Sequence, residues 1–123
     1  MCKNLFKDIN ATIRDKRLYA KQNLMREDIM KLFHIGRHRL NDLLADNANG
    51  MSFPQYINAI RMEEVDKLII NNPQMTLTAI ANNVGFTAPN LREQFKRRYG
   101  MSPSEYRAKL LKAKDEDNSV TQD

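Results

Sequence analysis

The sequence predicts an all-α fold built from two copies of one helical unit of about 50 residues. The first observation is a repeat: Gly-Met-Ser, with Tyr four residues after the Ser, occurs within residues 50–56 and again within residues 100–106. The second is that apolar residues recur at helical spacing, whereas no stretch shows the alternation of β-branched residues that is typical of a strand. Together they predict a tandem duplication of helices.

The duplication extends upstream of these matches. Residues 80–91 align with residues 29–40 without a gap, and apolar residues agree along both copies. The agreeing pairs are Ile29/Ile80, Met30/Ala81, Phe33/Val84, Ile35/Phe86, Leu40/Leu91 and, further on, Leu44/Phe95. Because these are the positions that a pair of helices would bury, the two copies should share one fold.

Seven helices follow from the periodicity and from capping residues. They are expected at about residues 4–20, 26–33, 37–47, 52–71, 76–85 and 87–99, with a short one from 103. Ser52 with Gln55, and Ser102 with Glu105, form capping boxes, and Thr76 caps the fifth helix. The predicted division is a first helix-turn-helix subdomain (1–51), a linker helix (52–72), a second such subdomain (73–114) and an acidic disordered tail (115–123).

The composition narrows the class of protein. At 123 residues and 41% hydrophobic content the chain has enough apolar side chains for a core. It contains no apolar run long enough for a membrane span, and its start lacks the pattern of a signal peptide. A single cysteine forms no internal disulfide and suits a reducing compartment, so we expect a cytoplasmic protein.

The charge is unevenly distributed along the chain. Residues 1–114 hold all 20 Lys and Arg but only 11 of the 15 Asp and Glu, which gives a net charge of +9. Residues 86–114 alone carry +6. A run of charge is usually only a solvated surface, but this excess lies inside a repeated helical unit. It therefore favours a polyanionic partner.

Each copy reads as a helix, a tight turn and a second helix. The turn residue is Gly85 in the second copy, and glycine readily adopts the left-handed conformation that such a turn needs. His34 takes this place in the first copy, and histidine is among the residues that do visit that region. The next residue, Ile35 or Phe86, should fill the corner. This is the pattern of a DNA-binding helix-turn-helix.

The turn also assigns an outward face to the second helix of each copy. Leu40 and Leu44, like Leu91 and Phe95, should point inward. The residues expected to face the bases are Arg37, His38, Asn41 and Asp42 in the first copy, and Pro89, Asn90, Arg92 and Glu93 in the second, next to Ala88. Those expected to contact phosphates are Arg39, Lys96, Arg97 and Arg98.

The predicted fourth helix has a length that suits this interpretation. About 20 residues at about 1.5 Å each span about 30 Å, and successive major-groove faces of DNA lie about 34 Å apart. A rigid helix of that length would place both units on one side of a duplex.

The second copy contains Ile80-Ala81, Val84-Gly85-Phe86, Leu91 and then the run Phe95-Lys96-Arg97-Arg98-Tyr99-Gly100-Met101-Ser102-Pro103-Ser104-Glu105-Tyr106-Arg107. This pattern resembles the C-terminal signature of the AraC/XylS family of bacterial transcription regulators. The resemblance covers roughly residues 5–110. It implies a homeodomain-like tandem of two helix-turn-helix subdomains that binds double-stranded promoter DNA. It further implies RNA polymerase as a partner, and an N-terminal sensing or dimerisation region that this chain lacks.

The sequence departs from the family pattern at Asp42 and Glu93, where relatives often present an arginine. A carboxylate there repels phosphate but can accept a hydrogen bond from the N4 amino group of cytosine. His34 in place of the turn glycine is a further departure.

Other classes of function have weaker support. His34 and His38 lie one turn apart, but no cysteine or carboxylate spacing completes a metal site, so neither catalysis nor a metal, cofactor or small-molecule site is expected. The serious alternative is a helical protein-interaction module in which only the second subdomain contacts DNA. The first copy, with His34 and Asp42, would then contact RNA polymerase or a partner subunit.

Overall fold

The computed structural model describes the backbone of residues 5–122 and the side chains of residues 5–112. All regular elements in this part of the chain are helical, which confirms the predicted all-α fold. The seven α-helices are α1 (Leu5–Asp15), α2 (Arg26–Phe33), α3 (Arg37–Asn47), α4 (Phe53–Asn71), α5 (Leu77–Val84), α6 (Ala88–Tyr99) and α7 (Pro103–Gln122). They form two compact units, Met1–Glu63 and Glu64–Asp123.

The first helix is shorter than predicted. It ends at Asp15 instead of continuing to about residue 20, because Arg17 adopts a left-handed conformation with φ of +54°. A short 3-10 turn, Leu18–Ala20, follows and buries Tyr19. The buried guanidinium of Arg61 in α4 holds this segment: Nε donates to the Tyr19 carbonyl and Nη2 to that of Lys21, each at 2.7 Å.

The predicted capping residues lie at the helix starts. Ser52 Oγ accepts a hydrogen bond from the Gln55 N–H at 3.3 Å, and Gln55 Oε1 accepts one from the Ser52 N–H at 3.0 Å. Ser102 Oγ likewise accepts from the Glu105 N–H at 3.2 Å, but the Glu105 carboxylate accepts from the Ser102 hydroxyl and not from its backbone. Both sequence signatures therefore start a helix, the second with a modified bonding pattern.

The core of the first unit is formed by α1, α2, α3 and the beginning of α4. Its most deeply buried apolar side chains are those of Ile9, Ile13, Ile29, Leu40, Leu44, Ile57 and Ile60. Tyr56 packs its ring 5.6 Å from that of Phe6 and donates its hydroxyl to Asn10 Oδ1. An ion pair of 2.7 Å joins Arg14 to Glu63 and adds a second connection between α1 and α4.

The core of the second unit is formed by the end of α4 with α5, α6 and α7. Its most deeply buried apolar side chains are those of Val65, Ile69, Ile80, Ala81, Val84, Phe86, Leu91 and Phe95. Tyr99 stacks on Tyr106 with ring centroids 4.5 Å apart, and its hydroxyl donates to Asp66 Oδ2 at 2.7 Å. Arg107 Nη2 donates to the Met75 carbonyl at 2.6 Å, which connects α7 to the segment before α5.

The helix predicted as a linker (52–72) is present as α4, and the boundary between the units falls inside it, so α4 contributes to both cores. The last helix is not short: α7 extends to Gln122, across residues predicted to form a disordered tail, and neither Gly nor Pro interrupts residues 104–122. The side chains of the acidic tail lie outside the described residues.

Candidate nucleic-acid interface

The two predicted turns have the same backbone geometry. His34 ends α2 with φ of +55°, and Gly85 ends α5 with φ of +96°. In each turn the N–H of this residue and the N–H of the next one converge on one carbonyl, that of Met30 in the first unit and that of Ala81 in the second. This bonding satisfies one of the last carbonyls of the helix and fixes the direction in which the next helix leaves.

The corner residue is buried to different extents in the two units. Phe86 is fully buried, with 0% of its surface exposed, whereas Ile35 is only half-buried. The larger aromatic ring fills the corner in the second unit, as predicted, and the smaller Ile35 fills it less completely in the first.

The second helix of each unit is oriented by its inward residues. Leu40 and Leu44 of α3 are at most 2% exposed, as are Leu91 and Phe95 of α6. The inward positions predicted by the repeat are thus confirmed. They fix which side of α3 and α6 faces away from the core.

The two helices begin differently. Thr87 Oγ1 accepts a hydrogen bond from the Asn90 N–H at 3.2 Å and so caps α6. Pro89 lies in the first turn of α6, where a backbone N–H would have no partner within the helix. Gly36 precedes α3 and supplies no side-chain cap. The start of α6 is therefore more firmly defined by its own sequence than the start of α3.

The predicted contact residues lie on the outward sides. Exposed among them are Arg37, His38, Arg39, Asn41 and Asp42 on α3, and Pro89, Arg92, Glu93, Lys96, Arg97 and Arg98 on α6. Asn90, whose N–H bonds the Thr87 cap, is half-buried. Their contacts with DNA remain predictions.

The electrostatic character of the two helices differs. α3 has two arginines and two aspartates and carries no net charge with its histidine neutral, whereas α6 carries +3. The excess comes from Lys96, Arg97 and Arg98 in the last turn of α6, where cations also interact favourably with the helix dipole. The Arg98 guanidinium lies 5.7 Å from the centroid of the Tyr99 ring.

Two arrangements near these helices were not predicted from the sequence. Arg97 Nη2 lies 2.7 Å from Glu93 Oε1, and the two residues form an ion pair on the outward side of α6. The sequence does indicate this pair, because opposite charges four residues apart are neighbours on a helix. Asp28 accepts a hydrogen bond from the Met25 N–H at 2.9 Å and so supports the start of α2. The sequence indicates this bond only by the acidic residue at the third helical position, because the N-cap residue is not the Ser or Thr of a usual capping box.

Sites of other kinds are less developed. In the described part of the chain, no three His, Cys, Asp or Glu side chains cluster in a way that could hold a metal ion. Across the same residues, no helix has both the length and the apolar character needed to cross a membrane. A groove of about 370 Å³ in the first unit is lined by Gln22, residues 24–27 and α4, with no contribution from α3.

The chain was compared with known protein families, curated proteins and solved structures. The helix-turn-helix domain family matches residues 29–109, about two thirds of the chain. No curated protein matches the sequence closely enough to count as a relative.

Two solved structures are similar to the chain. One is the C-terminal domain of the two-component response regulator yesN from Fusobacterium nucleatum, with a TM-score of 0.73, 23% identity and coverage of 85% of this chain and 98% of that one. The other is the C-terminal domain of AraT, a response regulator from Geobacillus stearothermophilus, with a TM-score of 0.67, 25% identity and 74% coverage of each chain. The match to the family, the repeated turns and the solved relatives agree: the chain belongs to the helix-turn-helix family of the AraC type and is a DNA-binding domain of a transcription regulator.

Proposed function

We propose that this domain binds promoter DNA by placing α3 and α6 in two successive major grooves. The observation that carries the proposal is the repetition of one turn geometry in both units, each followed by a helix with buried apolar residues on one side and exposed polar residues on the other. Two such helices in one chain are expected to contact two half-sites about 10 base pairs apart.

The exposed residues divide by chemistry into two groups. Asn41 and Arg92 have the side chains that bond adenine and guanine through two atoms each, and we assign them to base recognition together with Arg37, His38, Asp42, Pro89, Asn90 and Glu93. Arg39, Lys96, Arg97 and Arg98 are assigned to the phosphates, which fix the position of the protein but carry no sequence information.

The domain is proposed to act within a larger bacterial regulator. The two similar structures are both C-terminal domains of response regulators. By analogy, a sensing or dimerisation region would lie N-terminal to this domain, RNA polymerase would be the second partner, and the protein would act in the cytoplasm on promoter DNA. The family consists of DNA-binding domains that are generally not enzymes, and we propose no reaction and no cofactor for this chain.

A second candidate function is favoured by the charge of α3. Asp42 and Asp46 offset its two arginines, so this helix attracts phosphate less than α6 does. In this alternative only the second unit binds DNA and the first contacts a protein. The length of the protected DNA separates the two: about 16–20 base pairs for two engaged helices and about half of that for one.

The proposal predicts binding to duplex DNA that depends strongly on salt. If about 6–8 phosphates are contacted, the logarithm of the association constant should fall with the logarithm of salt concentration with a slope of about −5 to −7. Fluorescence anisotropy of a labelled duplex, titrated at several salt concentrations, measures the slope. Binding that is absent, or that does not change with salt, would contradict the proposal.

A further inference from the structure

Glu93 and Arg97 form an ion pair, although the proposed function assigns Glu93 to the bases and Arg97 to the phosphates. Both residues belong to the outward side of α6, one turn apart, and Arg97 Nη2 is 2.7 Å from Glu93 Oε1. Neither is buried: their side chains are 58% and 71% exposed. An exposed pair of this kind contributes little to stability, so both side chains are available to a ligand.

DNA changes the balance of this pair. A phosphate competes for Arg97, and if Arg97 leaves, the Glu93 carboxylate stays in a groove bordered by negative charge. The group on DNA bases best suited to satisfy it is the N4 amino group of cytosine, which donates in the major groove. Adenine presents its N6 amino donor beside the N7 acceptor, which repels a carboxylate, and guanine and thymine present no amino donor in this groove. On those bases Glu93 either keeps Arg97 from the phosphate or remains poorly satisfied.

We infer that Glu93 is a specificity-determining residue that exchanges Arg97 for a cytosine amino group when the second unit meets its preferred base pair. The inference rests on the proposed function, because it requires α6 to lie in the major groove. Its effect is to weaken binding to the wrong sequences as well as to strengthen binding to the right one, which is how many specific interfaces discriminate.

The first unit supplies the matched control. Asp42 stands at the position of Glu93 in the repeat, and the residue four positions later is Asp46 in place of Arg97. Asp42 therefore has no cation one turn later, and the exchange that Glu93 makes with position 97 has no counterpart at position 46. Removal of the Asp42 charge should change binding because repulsion of phosphate is lost and because a direct base contact changes. This change should not depend on which residue occupies position 46.

The experiment uses the full chain, a duplex library randomised over 20 base pairs and one fixed scrambled duplex. Glu93→Gln should bind the scrambled duplex several-fold more tightly and lose at least about fivefold of the preference for cytosine at one position of the selected site. Arg97→Gln should bind all duplexes more weakly but keep or sharpen that preference. In the double variant the preference should stay lost. Asp42→Asn and Asp46→Asn should show no coupling.

The outcomes separate this inference from the proposed function. If Glu93→Gln binds the scrambled duplex more tightly with its base preference intact, the carboxylate only repels phosphate and the inference is wrong. If Glu93→Gln weakens binding to every duplex, Glu93 only positions Arg97 and the inference is also wrong. In both cases the wild-type chain still binds DNA in a salt-dependent way, so the proposed function stands.

Discussion

The two helix-turn-helix units have one backbone plan and two different outward surfaces. Their turns place a left-handed residue at the same position, and two N–H groups converge on one carbonyl in each. Yet α3 carries no net charge and α6 carries +3. The comparison shows that similar inward and turn residues accompany one backbone plan, while the outward residues differ in charge between the two units.

The units also differ in how completely their corners are packed. Phe86 is fully buried and follows a glycine, whereas Ile35 is half-buried and follows a histidine in a strained conformation. The second unit thus combines the better-packed turn with the stronger positive charge.

The largest expected effect tests this difference in packing. Phe86→Ala should lower the free energy of unfolding by about 3–5 kcal/mol, because it leaves a cavity in a fully buried corner. Ile35→Ala should lower it by less than about 2 kcal/mol, because that side chain is only partly removed from water. Chemical denaturation followed by circular dichroism measures both losses. Equal losses would show that the two corners are equally well packed.

The next effect concerns the outward surfaces. Arg92→Ala or Asn41→Ala should weaken binding to the preferred duplex by about 1–3 kcal/mol and change binding to a scrambled duplex little. Lys96→Ala should weaken binding to both duplexes about equally, because phosphate contacts carry no base information. Anisotropy titrations with both duplexes provide the measurement. Equal losses on the two duplexes for Arg92→Ala would mean that this residue contacts the backbone.

A smaller effect distinguishes the turn residues. Gly85→Ala should lower the free energy of unfolding by about 1–2 kcal/mol, because a Cβ atom is unfavourable in a left-handed conformation. His34→Gly should raise it by about 0.5–1 kcal/mol, because relief of the same strain exceeds the extra entropy of glycine in the unfolded chain. The opposite signs can be checked by the melting temperature. A destabilised His34→Gly variant would indicate that the imidazole makes a favourable contact.

The last effect concerns pH. Burial, aided for Tyr99 by its hydrogen bond to Asp66, raises the pKa values of Tyr56 and Tyr99 from 10.0 to about 12. Between these values the unfolded tyrosine loses its proton while the folded one keeps it, so stability should fall as pH rises from about 10 to about 12. Tyr56→Phe and Tyr99→Phe should each flatten the fall of the melting temperature over this range. An unchanged slope would show that the tyrosine in question titrates normally.

Local signals in the sequence account for most of the fold. The Ser-x-x-Gln and Ser-x-x-Glu caps, the glycine before Phe86 and the inward leucines each act within a few residues, so the helices that they define could be predicted. Arg61 could not be, since its partners are backbone carbonyls 40 and 42 residues earlier in the chain, and carbonyls are present at every position. The early end of α1 was not predicted either, because no local signal marks Arg17 as the residue that adopts the left-handed conformation.

The sequence predicts which sides of α3 and α6 face outward, but it does not predict which outward side chains pair with each other. The helical repeat shows which side of α6 is outward, because Leu91 and Phe95 must be inside. It does not show whether Arg97 turns toward Glu93 or away from it, because an exposed arginine has many conformations of similar energy.

The duplicated turn has an evolutionary consequence. Each copy carries its own helix-ending residue and its own inward apolar side chains, so substitutions on the outward side of one copy leave the fold of both copies intact. If both units bind DNA as proposed, such substitutions change the target of one unit while the other unit keeps its own contacts. The divergence between Ala45-Asp46-Asn47 and Lys96-Arg97-Arg98, which occupy equivalent positions, is a trace of that freedom within a single chain.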